Sequence, residues 1–414
     1  MATLVAPSAA ASAVADARRA LGRVALAAVL ANATWFSATA VVPALQRDWG
    51  LTAAGAAWLV VAVQAGFITG SVAAALLNLP DRIELRRLIA GAAIAAAVAN
   101  ALLVAAGGLA AAIPVRFLVG VALAGVYAPG VRLVATHYVR GRGVATGVVV
   151  GALTLGSATP HLVRGLGDVP WQATIVTTSV LALLAAAAIR PVMAGPDAPP
   201  TPPLDLGAAL RALRDRPVRL TTLGYLGHMW ELYAFWAWLP AFFVASRHAT
   251  AGADPARLAT GAVVFAAVGI AGLSGAVVAG RIADRVGRTT TTSAAMLASA
   301  ACCLVSPIAY AASTAVLVAV LLIWGASVIA DSAQFSASVT ELAEPRYAGS
   351  ALTLQLALGF ALTIVSIRLV PVAVGATGWR YALVPLAAGP LLGTVAMLRL
   401  RALPAARRLA HGRR

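Results

Sequence analysis

The chain has 414 residues, of which 61% are hydrophobic and 11% charged, with a mean hydropathy of +0.89. Soluble domains carry about 25% charged residues, so the composition excludes an ordinary soluble protein and describes a polytopic membrane protein. The formal net charge of +17 would suggest nucleic acid in a soluble chain, but here the arginines cluster at the ends of apolar runs, so the basic balance is topological and no nucleic-acid partner is expected.

A run of about 20 apolar residues crosses a ~30 Å hydrocarbon core at ~1.5 Å per residue. Twelve such runs occur, at 24–45, 55–79, 88–109, 112–135, 144–163, 171–191, 219–245, 258–283, 290–311, 313–335, 348–373 and 380–400. The first follows Arg18, Arg19 and Arg23 without a small-residue cleavage site behind it, and is read as a retained span rather than a signal peptide. Only Arg47, Arg164, Arg247, Arg257, Arg368 and Arg380 fall on one side of this twelve-span arrangement. The blocks at 18–23, 82–87, 140–142, 211–219, 281–288 and 399–414 fall on the other, which predicts an inner (plasma) membrane protein with both termini cytoplasmic.

In chain order, the first run carries a polar and aromatic stripe, Asn32, Trp35, Phe36 and Thr39, read as a cavity wall. Gln64 on the second run and Gln355 on the eleventh are read the same way. Arg116, in the outer part of the fourth run, shares a helical face with Gly120, Leu123 and Tyr127, which would let it point into a cavity and attract an anion or assist coupling. Residues 193–217 are rich in proline and then basic, and read as a cytoplasmic linker with one short helix from Asp205 to Leu213.

The seventh run contains "GHMWELYAFW", residues 227–236, and raises the central question of this sequence. An ionisable side chain inside a bilayer costs at least ~2.5–3.5 kcal/mol on insertion scales. Glu231 sits near the midplane, too deep for so short a side chain to reach water along its own helix. It is read as a proton carrier or substrate contact facing the cavity, against a structural hydrogen bond to a neighbouring helix. His228 lies on the same face, which Phe235 and Trp238 continue. Asp331 and Gln334, near the cytoplasmic end of the tenth run, suggest a polar vestibule. Cys302 and Cys303 are adjacent in one run and match no metal spacing.

The chain repeats itself. Asp81 and Arg82 recur as Asp284 and Arg285, Arg142 as Arg346, and Arg164 as Arg368, all at a nearly constant offset. This predicts two six-helix bundles, 1–192 and 218–414, with a cavity between them.

The loop "GRIADRVGR", residues 280–288, resembles the signature of the major facilitator superfamily: glycine, three variable residues, Asp-Arg, one variable residue, Gly-Arg. The earlier copy, "LLNLPDRIELRR" at 76–87, keeps Asp81 and Arg82 but has Leu77 and Glu84 where the family prefers glycine. "RFLVGVALAG", residues 116–125, is similar to the family's fourth-helix pattern, whose arginine is associated with proton coupling. The family's exporter signature is incomplete, because "GVVVGALTLGSATP" has proline only at Pro160. The resemblance implies an all-α fold of twelve transmembrane helices and a monomeric secondary transporter without cofactor or metal. It also implies a cytoplasmic gate built from Asp81, Arg82, Gly280, Asp284, Arg285, Gly287, Arg288 and Arg346, with Asp284 pairing chiefly to Arg346.

The function expected is proton-coupled transport of a small organic solute by alternating access, in the direction of uptake, with a proton-driven drug or metabolite exporter as the alternative. A channel would show repeated filter elements or charged rings. A membrane enzyme would need convergent catalytic groups, whereas the five histidines at 137, 161, 228, 248 and 411 are scattered.

Overall fold

The computed structural model describes residues 9–138, 142–167, 170–195, 205–344 and 347–413. Among these residues there is no β-strand. A backbone in lipid must satisfy its own hydrogen bonds, and alanine- and leucine-rich runs do so at least cost as helices. The long helical stretches are α1 (Ala9–Asn32), α2 (Ala53–Leu76), α3 (Leu85–Ala105), α4 (Leu109–Ala135), α5 (Arg142–Gly165) and α6 (Trp171–Ile189). After the linker come α7 (Arg216–Ala251), α8 (Arg257–Val286), α9 (Arg288–Ala311), α10 (Thr314–Leu342), α11 (Ala348–Thr377) and α12 (Val384–Arg401). The linker helix runs from Leu206 to Arg214, shifted by one residue toward the C-terminus from its expected bounds.

Among the described residues nine of these helices are long and apolar enough to cross a membrane, or ten if α12 is counted with Pro404–Ala410, to which it is bent by 100°. The twelve crossings expected from the apolar runs are therefore met only in part. The two that fall short have identifiable reasons. α1 carries arginines at its start and then unwinds at residues 33–36, continuing as the short helices Ser37–Ala40 and Val42–Trp49. α7 is 36 residues long, but His228, Glu231 and several tryptophans and tyrosines lower its apolar character.

Contacts among the helices fall into two groups. In the first, α2 packs on α4, α3 on α4 and α6, and α1 on α5 and α6; in the second, α7 packs on α11 and α12, α9 on α10 and α12, and α8 on α10. Similar close crossings occur in both. A Cβ on Gly66 would lie 1.9 Å from the Phe117 carbonyl where α2 meets α4, and a Cβ on Gly325 would lie 1.9 Å from the Ala267 carbonyl where α10 meets α8. Only glycine lets the backbones approach so far, the small-residue packing typical of membrane helices.

The groups meet along two seams, α2 against α11 and α5 against α8. On the second seam Gly147 and Gly151 face Ala276 and Leu273, and Gly261 faces the His161 carbonyl. Midway along α8, residues Phe265–Ala271 form a π-helical turn, and the Gly269 carbonyl there accepts a long hydrogen bond from Thr154 Oγ1 at 3.4 Å.

Candidate functional site

A cavity lies between the two groups of helices. Its wall is drawn from both: Trp35, Phe67 and Tyr127 on one side, and Tyr225, Tyr233 and Trp236 of α7 with Phe360 of α11 on the other. Aliphatic side chains and the hydroxyl-bearing Ser332 and Ser336 of α10 complete it. The aromatic rings interlock across the boundary. Phe67 and Phe360 have centroids 4.4 Å apart, Trp35 stacks on Tyr233 at 5.6 Å and 28°, and Phe36 stacks on Tyr233 from behind the wall. The void they leave is about 40 Å³, room for about three waters. At the far end of the α2–α11 seam the Arg368 guanidinium covers the Trp58 ring at 4.5 Å.

Of the expected cavity residues, Trp35 and Tyr127 line the void. Asn32 turns back instead, donating from Nδ2 to the Ala28 carbonyl at 2.8 Å, and its Cβ packs against Gly156. Thr39 is buried in the short helix after the α1 break. Gln64 and Gln355 are wholly buried, and neither carboxamide has a hydrogen-bond partner. Gln334 accepts from Arg288 Nη1 at 2.7 Å and belongs to the loop cluster rather than the cavity.

Arg116 does not point into the cavity. It is completely buried, and its guanidinium donates to the Thr34 carbonyl (3.0 Å), Ser37 Oγ (3.1 Å), Asn100 Oδ1 (3.2 Å), the Leu59 carbonyl (3.4 Å) and the Trp35 carbonyl. The reason is the break in α1, where carbonyls leave the helix ladder and need donors. Asn100 extends the bracket by donating to the Ile175 carbonyl, Thr178 Oγ1 and Ser179 Oγ. All three guanidinium nitrogens are engaged, which leaves no free fork for an anion.

Glu231 is also turned away from the cavity that it was expected to face. Its Oε1 accepts hydrogen bonds from Ser299 Oγ (2.6 Å), Cys303 Sγ (3.1 Å) and Trp324 Nε1, all on α9 and α10. The cause is helical phase. On α7 the cavity stripe is Tyr225, Met229, Leu232 and Trp236, whereas His228, Glu231 and Phe235 occupy the neighbouring face. Phe235 stacks on Trp324 at 4.4 Å, which fixes that face against α10. Cys303 accordingly has a specific partner beyond apolar packing.

His228 and Asp331 come together, with Nδ1 and Oδ1 2.8 Å apart and both side chains buried. Asp331 stands where α10 is interrupted between Ala330 and Ser332, and Ser332 lines the cavity. The His228 ring packs between Tyr225 (6.0 Å) and Phe335 (5.7 Å), and its Nε2 has no hydrogen-bond partner. The pair therefore stands directly behind the cavity wall.

At the arginine-rich end, the two Asp-Arg loops differ. Asp81 pairs with Arg132, while Arg82 and Arg285 are exposed. Asp284 lies at the N-terminus of α5, where a Cβ on Gly143 would be 3.1 Å from its Oδ1, and Gly280 approaches the Gly143 carbonyl. Its expected partner Arg346 lies outside the described residues. An acid at a helix N-terminus complements the helix dipole without needing a cation. Gly287 turns the chain with φ +98°, and Arg288 forms a bidentate pair with Glu341 at 2.9 and 2.5 Å.

Residues 24–367 match the family model of the Major Facilitator Superfamily. The chain belongs to the major facilitator superfamily. No curated protein matches it. Membership makes this facilitator a multi-pass membrane transporter handling a small molecule. Trp35 and Tyr127 were anticipated from the sequence, but Phe67, Phe360 and the aromatic residues Tyr225, Tyr233 and Trp236 of α7 were not. The signal was present as the stripe 225–229–232–236, one residue out of phase with the conspicuous acid.

Proposed function

We propose that this facilitator takes up a small organic solute together with protons, as a monomer with twelve crossings arranged as two bundles, 1–192 and 218–414, that rock about the α2–α11 and α5–α8 seams. The arginine-rich end, with both termini, lies in the cytoplasm. The observation that carries the coupling is the His228–Asp331 pair, 2.8 Å apart and immediately behind the cavity wall. Buried acid and histidine groups in a membrane interior are costly and mark proton relays. Asp331 sits at a helix break, where backbone displacement during rocking would change its solvent access. The ionisable neighbours of the pair are Tyr225 and Glu231 on α7.

In this reading Glu231 has the supporting role. Three donors converge on it, so it clamps α7 to α9 and α10 and holds His228 in register. With a substrate selected by thermal-stability screening of metabolites and drugs, Asp331→Asn in proteoliposomes is expected to abolish accumulation driven by a pH gradient while preserving energy-independent counterflow. Glu231→Gln is expected to retain accumulation with a lower melting temperature. Accumulation that survives Asp331→Asn and disappears in a folded Glu231→Gln would transfer the proton to Glu231. If both variants accumulate solute fully, the transporter is not driven through this cluster.

A further inference from the structure

Four observations on the cavity wall bear on what it binds. First, among the described residues the cavity lining includes seven aromatic side chains and no Asp, Glu, Arg or His. Second, the indole Nε1 groups of Trp35 and Trp236 are buried without a hydrogen-bond partner. An indole nitrogen can only donate, and a buried donor left unpaired is unfavourable. Third, three tyrosines, Tyr127, Tyr225 and Tyr233, line the void and bring phenol hydroxyls to its wall. Fourth, the ionisable side chains behind the wall are turned to partners of their own: His228 and Asp331 to one another behind Tyr225 and Phe335, and Glu231 to Ser299, Cys303 and Trp324.

We infer that the cavity selects a neutral, flat, single-ring solute bearing a hydrogen-bond acceptor such as a carbonyl. Rings supply stacking faces of the kind seen between Trp35 and Tyr233, and the two indoles and three phenols supply donors that an acceptor satisfies. A formally charged solute would lose its hydration here without a counter-charge on the wall, which is unfavourable for a cation or an anion alike. A polyol offers no flat face for the aromatic side chains of the wall to stack on. The small void limits the solute to one ring and requires the aromatic contacts across the boundary to part as it enters.

The inference rests on the transport reading of the same cavity, and the experiment separates the two. Isothermal titration calorimetry on the purified protein would use five probes: benzamide, benzoate, benzyltrimethylammonium, cyclohexanecarboxamide and sorbitol. Benzamide is expected to bind most tightly, by about tenfold over the two ions and sorbitol, with cyclohexanecarboxamide weaker for want of a stacking face. Trp35→Phe and Trp236→Phe keep the ring and remove the donor, and each is expected to weaken benzamide by about fivefold without a change of melting temperature.

Tighter binding of either ion or of sorbitol, unchanged affinity in both tryptophan variants, or no binding of any probe overturns the assignment. Counterflow of labelled benzamide in proteoliposomes then tests the other reading. Tight benzamide binding without counterflow would keep the ligand class and remove transport from this cavity. Counterflow of sorbitol alone would keep transport and remove the ligand class.

Discussion

The two Asp-Arg loops descend from one sequence pattern but are fastened in different ways. In the first, Asp81 pairs with Arg132 of α4, inside its own group of helices. In the second, Asp284 sits on the first turn of α5, across the seam, while Arg288 is clamped to Glu341 and Gln334 of α10. The C-terminal segment joins this second cluster. The Ala410 N–H donates to Glu341 Oε2 at 3.0 Å, and Arg413 donates to the Asp284 carbonyl. The lesson is that a repeated motif can be fastened within its own group of helices in one half and against the opposite group in the other.

That contrast breaks or sharpens under substitution. The largest effect is expected from Arg288→Ala, which strands Glu341 half-buried beside α9 and should remove about 2–3 kcal/mol of stability, less than a fully buried pair because the carboxylate is partly exposed. Arg82→Ala, at the exposed arginine of the first loop, should leave the unfolding midpoint in detergent unchanged. Equal destabilisation by both would erase the asymmetry between the loops.

Next is the acid itself. Asp284→Asn removes about 1 kcal/mol of charge–dipole attraction across the seam, enough to shift a two-state equilibrium roughly fivefold. Spin-label distances between the arginine-rich ends of α5 and α8 should lengthen in that variant and stay constant in Asp81→Asn. The smallest effect is expected from Arg413→Ala. An exposed hydrogen bond contributes at most a few tenths of a kcal/mol, so transport turnover should change by less than twofold. A larger change would make the C-terminal segment part of the gate.

Much of the fold was legible because lipid imposes a simple rule. Apolar runs, arginine blocks and glycine-rich loops each respond to a local constraint, and the helices fall where those patterns end. Individual site residues were less legible. Glu231 and Arg116 stood out as charges in oil, and both proved to be committed to neighbouring helices, the first to Ser299, Cys303 and Trp324, the second to the broken backbone of α1. A charge signals that some partner must exist, but partners come from other helices, and composition along one helix cannot name them. The pairing of His228 with Asp331 belongs to the same class, since the two residues are far apart in the chain.

The sequence by itself determined that this is an all-helical membrane protein of the facilitator type, that its Asp-Arg motif recurs, and that its arginines come in blocks between apolar runs. These properties follow from hydrophobic length, charge count and motif spacing, which are one-dimensional. Tertiary structure alone decided which face of α7 meets the cavity, because a helix advances about 100° per residue and a choice between adjacent stripes depends on what packs against each. It also decided that the cavity wall is aromatic and uncharged, because Trp35 comes from the break after α1 and Phe67, Tyr233 and Phe360 from three other helices, and they meet only when the two groups close on one another.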